Sequence, residues 1–285
     1  MTHIPITKTL LTDIAKISNT RTKSKVLKAL GQREYQRCAE DVLYWLDPSQ
    51  HDDIAYVHTL DPHPLSTCNL CNDGAAHFFN KLEVHLKLFH SIVNPGPEAI
   101  KSMFTKVDPV RPFILKEYMP PIIRAWEKEP LMCIEKSRDV MATWLIITLY
   151  TWDTLFHRGR QNIVQSKTSS DSNELVKRAK HIYEHQPKFL RDVVKAVYTI
   201  GTQRSGELKL ESINSEMLGF PQGPDIIRQL HPSGIFVDEA AFQEKAADAF
   251  ASIKPAIQNG GRYTAISSAN PGWFQHLCQD NLANF

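Results

Sequence analysis

The spacing of apolar residues changes character near residue 110 of the chain. Before that point, residues 21–46 carry apolar side chains at roughly helical spacing, and residues 75–93 form a second amphipathic helical pattern. Residues 61–74 lie between these stretches and are rich in Pro, Asp, Asn and Gly, which favour loops. These patterns predict a mainly helical N-terminal region over residues 1–105.

Beyond residue 110, short apolar runs alternate with longer amphipathic stretches. Strands separated by helices are typical of an α/β fold, in which a mostly parallel sheet is flanked by helices. We predict such a domain over residues 106–285. The predicted strands are 131–135, 161–167, 233–240 and 262–269, and the predicted helices are 143–156, 169–187 and 244–257.

Composition sets limits on partners and compartment. The chain has 285 residues, of which 42% are hydrophobic, enough to bury a proper core. The formal net charge is only +2, so a nucleic-acid surface would have to come from a local patch. The basic residues of 21–46 form either a solvated face or a DNA-contacting face. No apolar run approaches the ~20 residues of a membrane-spanning helix, so we expect no membrane partner.

Two adjacent carboxylates follow the third predicted strand. Gly234–Val237 lead directly into Asp238 and Glu239, at the strand end where ligands bind in parallel sheets. One carboxylate of such a pair can hold a Mg²⁺ shell while the next activates a water. The alternative is a pair of exposed acids that opens a helix.

Small polar residues end the fourth predicted strand. Ser267, Ser268 and Asn270 follow the carboxylate pair by about thirty residues. Side chains of this kind at a strand end can sense a terminal phosphate group. An ordinary Ser/Asn/Pro turn would give the same local sequence.

The segment EKSRDVMATWL, residues 135–145, stands between the first predicted strand and its helix. A standard phosphate loop, G-x-x-x-x-G-K-[ST], would place lysine at Ala142 and magnesium-binding threonine at Thr143. The loop has no glycine, but the long side chain of Lys136 can reach phosphates from the start of the loop, and Arg138 adds a second cation. An ordinary basic turn before a core helix is the alternative.

The order of these motifs over residues 111–275 resembles the ATPase domain of viral large terminase subunits, the DNA-packaging motors of tailed bacteriophages. Members of that family often carry a deviant Walker A loop, K-x-R-x-x-G-x-[ST]-W, whose lysine has moved to the start. The resemblance implies a P-loop fold of the ASCE, RecA-like type. By the same resemblance, Glu239 is catalytic, ATP and Mg²⁺ are bound by Lys136, Ser137, Arg138, Thr143 and Asp238, and the coupling motif comprises Ser267, Ser268 and Asn270.

The resemblance also implies partners. These are double-stranded DNA bound without sequence specificity, a portal, a small terminase subunit and further copies of the chain in a ring. Action would take place in the host cell cytoplasm, transiently at the procapsid portal and not in the mature virion. An arginine from a neighbouring subunit can complete such a site, and the candidates are Arg158, Arg160 and Arg228.

Two departures from the family pattern bear on activity. Met141 stands where the family has glycine, and a side chain there is expected to crowd the backbone that wraps the phosphates. Family members usually continue into a nuclease domain, whereas this chain ends at Phe285 just after the motor motifs. We therefore expect no nuclease activity.

A separate Cys/His pattern lies in the N-terminal region. Cys68, Cys71, His85 and His90 have the spacing C-x2-C-x13-H-x4-H, close to that of a zinc finger. The pattern predicts a structural zinc site, and the alternative is a cysteine-containing loop beside a helix with surface histidines.

Two other functions are alternatives to a packaging motor: a zinc-finger DNA-binding or scaffold protein with a degenerate ATPase fold, or a helicase-like DNA-dependent ATPase.

Overall fold

The structure is a computed structural model of the chain that describes residues 6–47, 55–60, 67–68, 104–105, 110–137, 140–200, 206–223 and 230–280. The predictions for Arg138, Arg228, Cys71, His85 and His90 lie outside these residues, and Cys68 is described only as backbone.

Helices and strands alternate over most of the described chain. The helices are α1 (Lys8–Ala15), α2 (Thr20–Glu40), α3 (Val42–Leu46), α4 (Met119–Lys128), α5 (Ala142–Phe156), α6 (Ser169–His185), α7 (Lys188–Arg191), α8 (Ala246–Gln258) and α9 (Trp273–Asp280). The strands are β1 (His58–Leu60), β2 (Thr67–Cys68), β3 (Phe104–Thr105), β4 (Val110–Pro112), β5 (Leu131–Glu135), β6 (Gln161–Ser166), β7 (Val197–Thr199), β8 (Glu207–Leu210), β9 (Ser215–Pro221), β10 (Gly234–Asp238) and β11 (Arg262–Ser267). Short 3-10 turns follow β8 and β10. None of the described helices is long and apolar enough to cross a bilayer.

The main sheet has seven strands in the order β5-β11-β10-β6-β9-β8-β7. The first five are mutually parallel, and β8 and β7 are added antiparallel at one edge. β11 separates β5 from β10, which is the additional-strand arrangement expected of an ASCE-type P-loop fold. The prediction of a mostly parallel α/β sheet flanked by helices is confirmed.

Three strands of this sheet were not predicted: β7, β8 and β9. β9 lies in the interior of the sheet, but its sequence SEMLGFP is interrupted by Gly219, a residue that usually weakens strand propensity. A Cβ at Gly219 would lie 3.0 Å from Val176 Cγ2 and 3.2 Å from the Ser172 carbonyl oxygen on α6. The glycine therefore reflects the close packing of α6 on the sheet.

Side chains that alternate along the central strands fill two apolar clusters, one on each face of the sheet. On β10, Phe236 belongs to the cluster that includes α5 and α6, whereas Ile235 and Val237 belong to the cluster that includes α8 and α9. This is the period-two pattern of a strand buried on both faces. The same alternation places the side chain of Asp238, the last residue of β10, on the face that Phe236 occupies.

The chain divides into two compact units, residues 1–58 with 112–285, and residues 59–111. In the first unit, the N-terminal helix α2 packs against α5 and α7. Tyr35 on α2 donates a hydrogen bond to the Leu155 carbonyl oxygen at 2.5 Å, and Trp152 Nε1 donates to the Cys38 carbonyl oxygen at 2.5 Å. In the remaining segment, β1 pairs with β4, and β2 pairs antiparallel with β3.

Candidate functional site

The carboxyl ends of β5, β11 and β10 meet at one edge of the sheet. Parallel pairing places Ser267 of β11 beside Glu135 of β5, and Asp238 of β10 beside Ile266 of β11. The Lys136 amide continues this pairing and donates to the Ser267 carbonyl oxygen at 2.9 Å. Three segments that are distant in sequence therefore deliver their polar residues to the same place.

Lys136 and Glu239 form an ion pair at this edge. The distance from Lys136 Nζ to Glu239 Oε1 is 2.7 Å, and the lysine side chain is only 10% exposed. Glu239 has a left-handed backbone, with φ of 51° and ψ of 46°, at the turn that follows β10. This uncommon conformation redirects the carboxylate away from the strand direction and towards the loop after β5.

Asp238 approaches α5 instead. Alternation along β10 places its side chain on the same face as Phe236, the face that α5 covers. Thr143, the second residue of α5, donates a hydrogen bond from Oγ1 to Asp238 Oδ1 at 3.1 Å. The two acidic residues, although adjacent, thus have different partners, Lys136 for one and Thr143 for the other.

Burial, together with the neighbouring Glu239 carboxylate, raises the pKa of Asp238 to about 6. The hydrogen bond from Thr143 and the charges of Lys136 and Arg178 oppose this shift. The anionic form of Asp238 is therefore disfavoured in the folded protein and would gain from a nearby cation.

We expect the contribution of Asp238 to the free energy of unfolding, without metal or nucleotide, to fall by about 2–3 kcal/mol as the pH rises from about 4 to about 6. The folded protein binds a proton at Asp238 in this window that the unfolded chain has already released, so raising the pH costs stability. Asp238→Asn cannot ionise and should remove this part of the pH dependence, leaving the variant more stable than the wild type at pH 7. Urea denaturation at a series of pH values measures the effect.

The exposed Asp248 on α8 provides the control for this experiment, and Asp248→Asn should keep the wild-type pH dependence. Parallel stability curves for the wild type and Asp238→Asn would contradict the burial argument.

The predicted coupling residues contact the acidic turn. Ser267 Oγ donates to Glu239 Oε2 at 3.3 Å and accepts a hydrogen bond from the Ala241 amide at 3.1 Å. The Ser268 amide is 3.4 Å from the same Glu239 oxygen, and Asn270 Nδ2 donates to the Ala241 carbonyl oxygen at 3.0 Å. The end of β11 is therefore joined directly to Glu239 and to the turn after it.

Met141 immediately precedes α5 and has φ of 53° and ψ of 15°, the left-handed region that favours glycine. A non-glycine residue there costs about 1–2 kcal/mol. The Met141 side chain is partly buried and packs against the apolar cluster that includes α5. The loop thus adopts the backbone conformation of the expected glycine while its methionine side chain contacts the core.

The N-terminus of α5 has no side-chain cap. The first amides of a helix have no partner within the helix, and they attract anions when no side chain caps them. Just before α5, the Val140 carbonyl oxygen accepts a hydrogen bond from the Tyr118 hydroxyl at 2.5 Å.

A cleft of about 760 Å³ opens at this edge of the sheet. Of the predicted site residues it is lined by Lys136, Asp238, Glu239 and Ser268. Sequence reasoning did not assign the other lining residues, which are Ser166, Lys167, Asp171, Glu174, Leu175, Arg178 and Phe242. Ser166, Lys167 and Asp171 belong to the polar run SKTSSDS, residues 166–172, whereas nothing in the sequence of α6 distinguishes Arg178.

The residues at this edge fit a Mg²⁺ ion. Among the described residues, no group of three or more His, Cys, Asp or Glu side chains is arranged to hold a metal. Mg²⁺ commonly uses only one or two protein oxygens and takes its remaining ligands from phosphates and water. The Thr143 hydroxyl and the partly buried Asp238 carboxylate, 3.1 Å apart, supply such oxygens.

Three further predicted residues that the structure describes do not line the cleft: Ser137, Arg158 and Arg160. Ser137 is exposed beside Lys136. Arg158 is exposed, and Arg160 pairs with Asp153 at 3.2 Å; both precede β6 and so lie towards the amino end of that strand, away from the cleft.

Comparison with solved structures finds large terminases of bacteriophages. The chain is similar in structure to large terminases. The large terminase of bacteriophage HK97 matches with a TM-score of 0.48 and 17% identity, over 61% of this chain and 37% of that one. A mutant ATPase domain of the Thermus phage P74-26 large terminase matches with a TM-score of 0.45 and 13% identity, over 58% of this chain and 70% of that one.

A third similar structure is the large terminase of a thermophilic bacteriophage in complex with ADP. Its TM-score is 0.40 at 12% identity, over 59% of this chain and 44% of that one. The match to the HK97 large terminase thus spans little more than a third of that protein's length. No family profile matches this chain, and no curated protein is similar to it in sequence.

Proposed function

We propose that this chain contains the ATP-hydrolysing motor domain of a viral DNA-packaging terminase, which moves double-stranded DNA into a procapsid. The observation that carries the proposal is the meeting of Lys136 with Glu239 at 2.7 Å and of Thr143 with Asp238 at 3.1 Å. Two segments some hundred residues apart bring a cation, a hydroxyl and two carboxylates to the end of a parallel sheet, where such sheets bind ligands.

ATP would bind with its phosphates at the uncapped N-terminus of α5. The amides of the loop and of the first turn would donate to phosphate oxygens, as at other helix N-termini. Lys136 would exchange its contact with Glu239 for a phosphate oxygen, which would release the carboxylate. Ser137 and Arg138 precede this helix in the same loop and would add contacts to the phosphates.

Thr143 and Asp238 would hold Mg²⁺, because they are the neighbouring oxygen donors at the start of α5 and the end of β10. The ion would offset the negative charge of the phosphates. Occupancy of this position would also stabilise the anionic form of Asp238, whose pKa burial raises.

Glu239, once released from Lys136, would orient a water molecule and accept its proton as the water attacks the terminal phosphate. Ser267 and the Ser268 amide contact the same carboxylate. A change in the position of Glu239 would therefore pass directly to the end of β11, and Asn270 would carry it to the turn at Ala241.

DNA contact would be mainly to phosphates, through a local basic patch, and little dependent on sequence, because the phosphate backbone is the same at every base pair. Assembly as a ring with a portal, a small subunit and DNA would take place in the host cytoplasm. Arg158, Arg160 or Arg228 would then act from a neighbouring copy. The Cys68, Cys71, His85 and His90 pattern remains a prediction of a zinc site, and metal analysis of the purified chain tests it.

The test is steady-state ATP hydrolysis by the purified full chain, with Mg²⁺ and with or without duplex DNA. We expect turnover that depends on Mg²⁺ and increases with DNA. Absence of ATP binding would reject the proposal and favour a scaffold with a degenerate ATPase fold. Movement along DNA that separates the strands would favour the helicase-like alternative, and cleavage of plasmid DNA would contradict the expected absence of nuclease activity.

A further inference from the structure

Arg178 is a cation in the candidate cleft that none of the predicted roles uses. It lies on α6 and lines the cleft together with Lys136, Asp238 and Glu239. Its guanidinium carbon is 5.1 Å from the ring centroid of Trp144, the residue after Thr143 on α5. An aromatic face at this distance attracts a cation and limits the positions of the guanidinium plane.

Within the described part of the chain, Arg178 makes no ion pair and donates no side-chain hydrogen bond that would satisfy its five N–H groups. Burial lowers its pKa, and the carboxylates of Asp238 and Glu174 oppose that shift. A partly buried cation normally needs a hydrogen-bonded partner to offset its lost hydration. The charge of Arg178 is therefore only partly compensated by the aromatic ring and by two carboxylates.

The neighbouring Lys180 shows the contrast on the same helix. Its Nζ lies 5.4 Å from the Tyr198 ring centroid, and it also pairs with Glu184 at 3.4 Å. Lys180 does not line the cleft. Lys180 thus has both an aromatic and a carboxylate partner, whereas Arg178 in the cleft has an aromatic contact but no ion pair within the described residues.

We propose that Arg178 is a phosphate-binding residue of this site that acts within its own chain and holds the terminal phosphate of ATP. This proposal rests on the proposed function. The planar guanidinium can donate two parallel hydrogen bonds to phosphate oxygens, which a lysine cannot reproduce. Its proximity to Asp238, which would hold Mg²⁺, places it on the side of the metal and the reacting phosphate.

Two consequences separate this role from that of an arginine supplied by a neighbouring subunit. First, Arg178 should act in the monomer, because it lines the cleft of the same chain. Second, it should distinguish ATP from ADP, because ADP lacks the phosphate that it would hold. Trp144 should report the event, since the guanidinium over its ring would move or reorient when the phosphate binds.

The test compares binding of the ATP analogue AMP-PNP and of ADP, each with Mg²⁺, by the monomeric full chain. We expect Arg178→Met to weaken AMP-PNP binding at least about tenfold more than ADP binding, as for loss of a charged hydrogen bond. Arg178→Lys should recover part of this loss. Lys180→Met is the matched control and should bind both nucleotides like the wild type. In the wild type, AMP-PNP should change tryptophan emission more than ADP does, and Trp144→Phe should lack this difference.

Equal weakening of AMP-PNP and ADP binding by both Arg178 variants, or no weakening, would overturn the proposal and leave Arg178 as a packing residue between α5 and α6. The Lys variant keeps the test valid if Arg178→Met does not fold. Failure of the wild type to bind AMP-PNP would instead reject the proposed function, and the role of Arg178 with it.

Discussion

Replacing Glu239 by glutamine is expected to lower the rate of ATP hydrolysis about 10²- to 10⁴-fold, the usual contribution of a general base. Glutamine keeps the shape of the side chain but cannot accept a proton from the attacking water. ATP binding should survive and should become somewhat tighter. The reason is that Lys136, which lies 2.7 Å from Glu239, would no longer have to leave an ionic partner to reach the phosphates.

The experiment measures steady-state hydrolysis and equilibrium binding on the same preparations. Glu244→Gln is the matched control, because Glu244 is exposed and lies five residues further along the chain outside the cleft. It should hydrolyse ATP like the wild type. Undiminished turnover by Glu239→Gln would refute the assignment of the general base, and a parallel loss of binding would indicate that Glu239 is structural.

The pair Asp238 and Glu239 shows how far sequence alone could go. An apolar run that ends in two carboxylates predicted that both would reach one site, and both line the same cleft. It did not predict that they would have different partners. That division depends on strand alternation, which sends Asp238 towards Thr143, and on the left-handed backbone of Glu239, which turns it towards Lys136.

The sheet was predictable where strands are apolar and separated by periodic helices. The parallel strands β5, β6, β10 and β11 meet this condition. β9 does not, because it contains Gly219, a residue of low strand propensity. The close packing of α6 against the sheet leaves no room for a side chain at that position. The N-terminal helices were predicted as helices, but the place of α2 against α5 depends on contacts such as Tyr35 to Leu155, which join residues 120 positions apart.

Arg178 is a residue of the candidate site that the sequence alone could not identify. A helix with regular amphipathic spacing gives no sign that one of its basic residues lines a cleft. Only the packing of α6 beside α5 brings that guanidinium to Trp144 and to the neighbourhood of Asp238. Met141, by contrast, was identified from the sequence as a residue whose side chain would crowd the loop. In the structure that side chain packs against the core.

Lys136→Met is expected to weaken ATP binding roughly 10- to 150-fold, which corresponds to loss of one charged hydrogen bond of about 1.5–3 kcal/mol. The position that holds lysine in a standard phosphate loop is Ala142, which is buried and can offer no charge. Lys136 instead provides a positive charge in the cleft, where it pairs with Glu239. Its side chain is only 10% exposed, so water screens this charge weakly. Binding of ATP, followed by calorimetry, measures the effect.

Lys167→Met provides the control for this second prediction. Lys167 lines the same cleft at the end of β6 but is exposed, so its removal should weaken binding by no more than about fivefold, in keeping with the ~1 kcal/mol limit for exposed charges. Lys136→Arg should fall between the wild type and Lys136→Met, because it keeps the charge but changes the donor geometry. An equal weakening of ATP binding by Lys136→Met and Lys167→Met would mean that the cleft attracts ATP by its overall positive charge. In that case Lys136 would not replace the phosphate-loop lysine that is missing at Ala142.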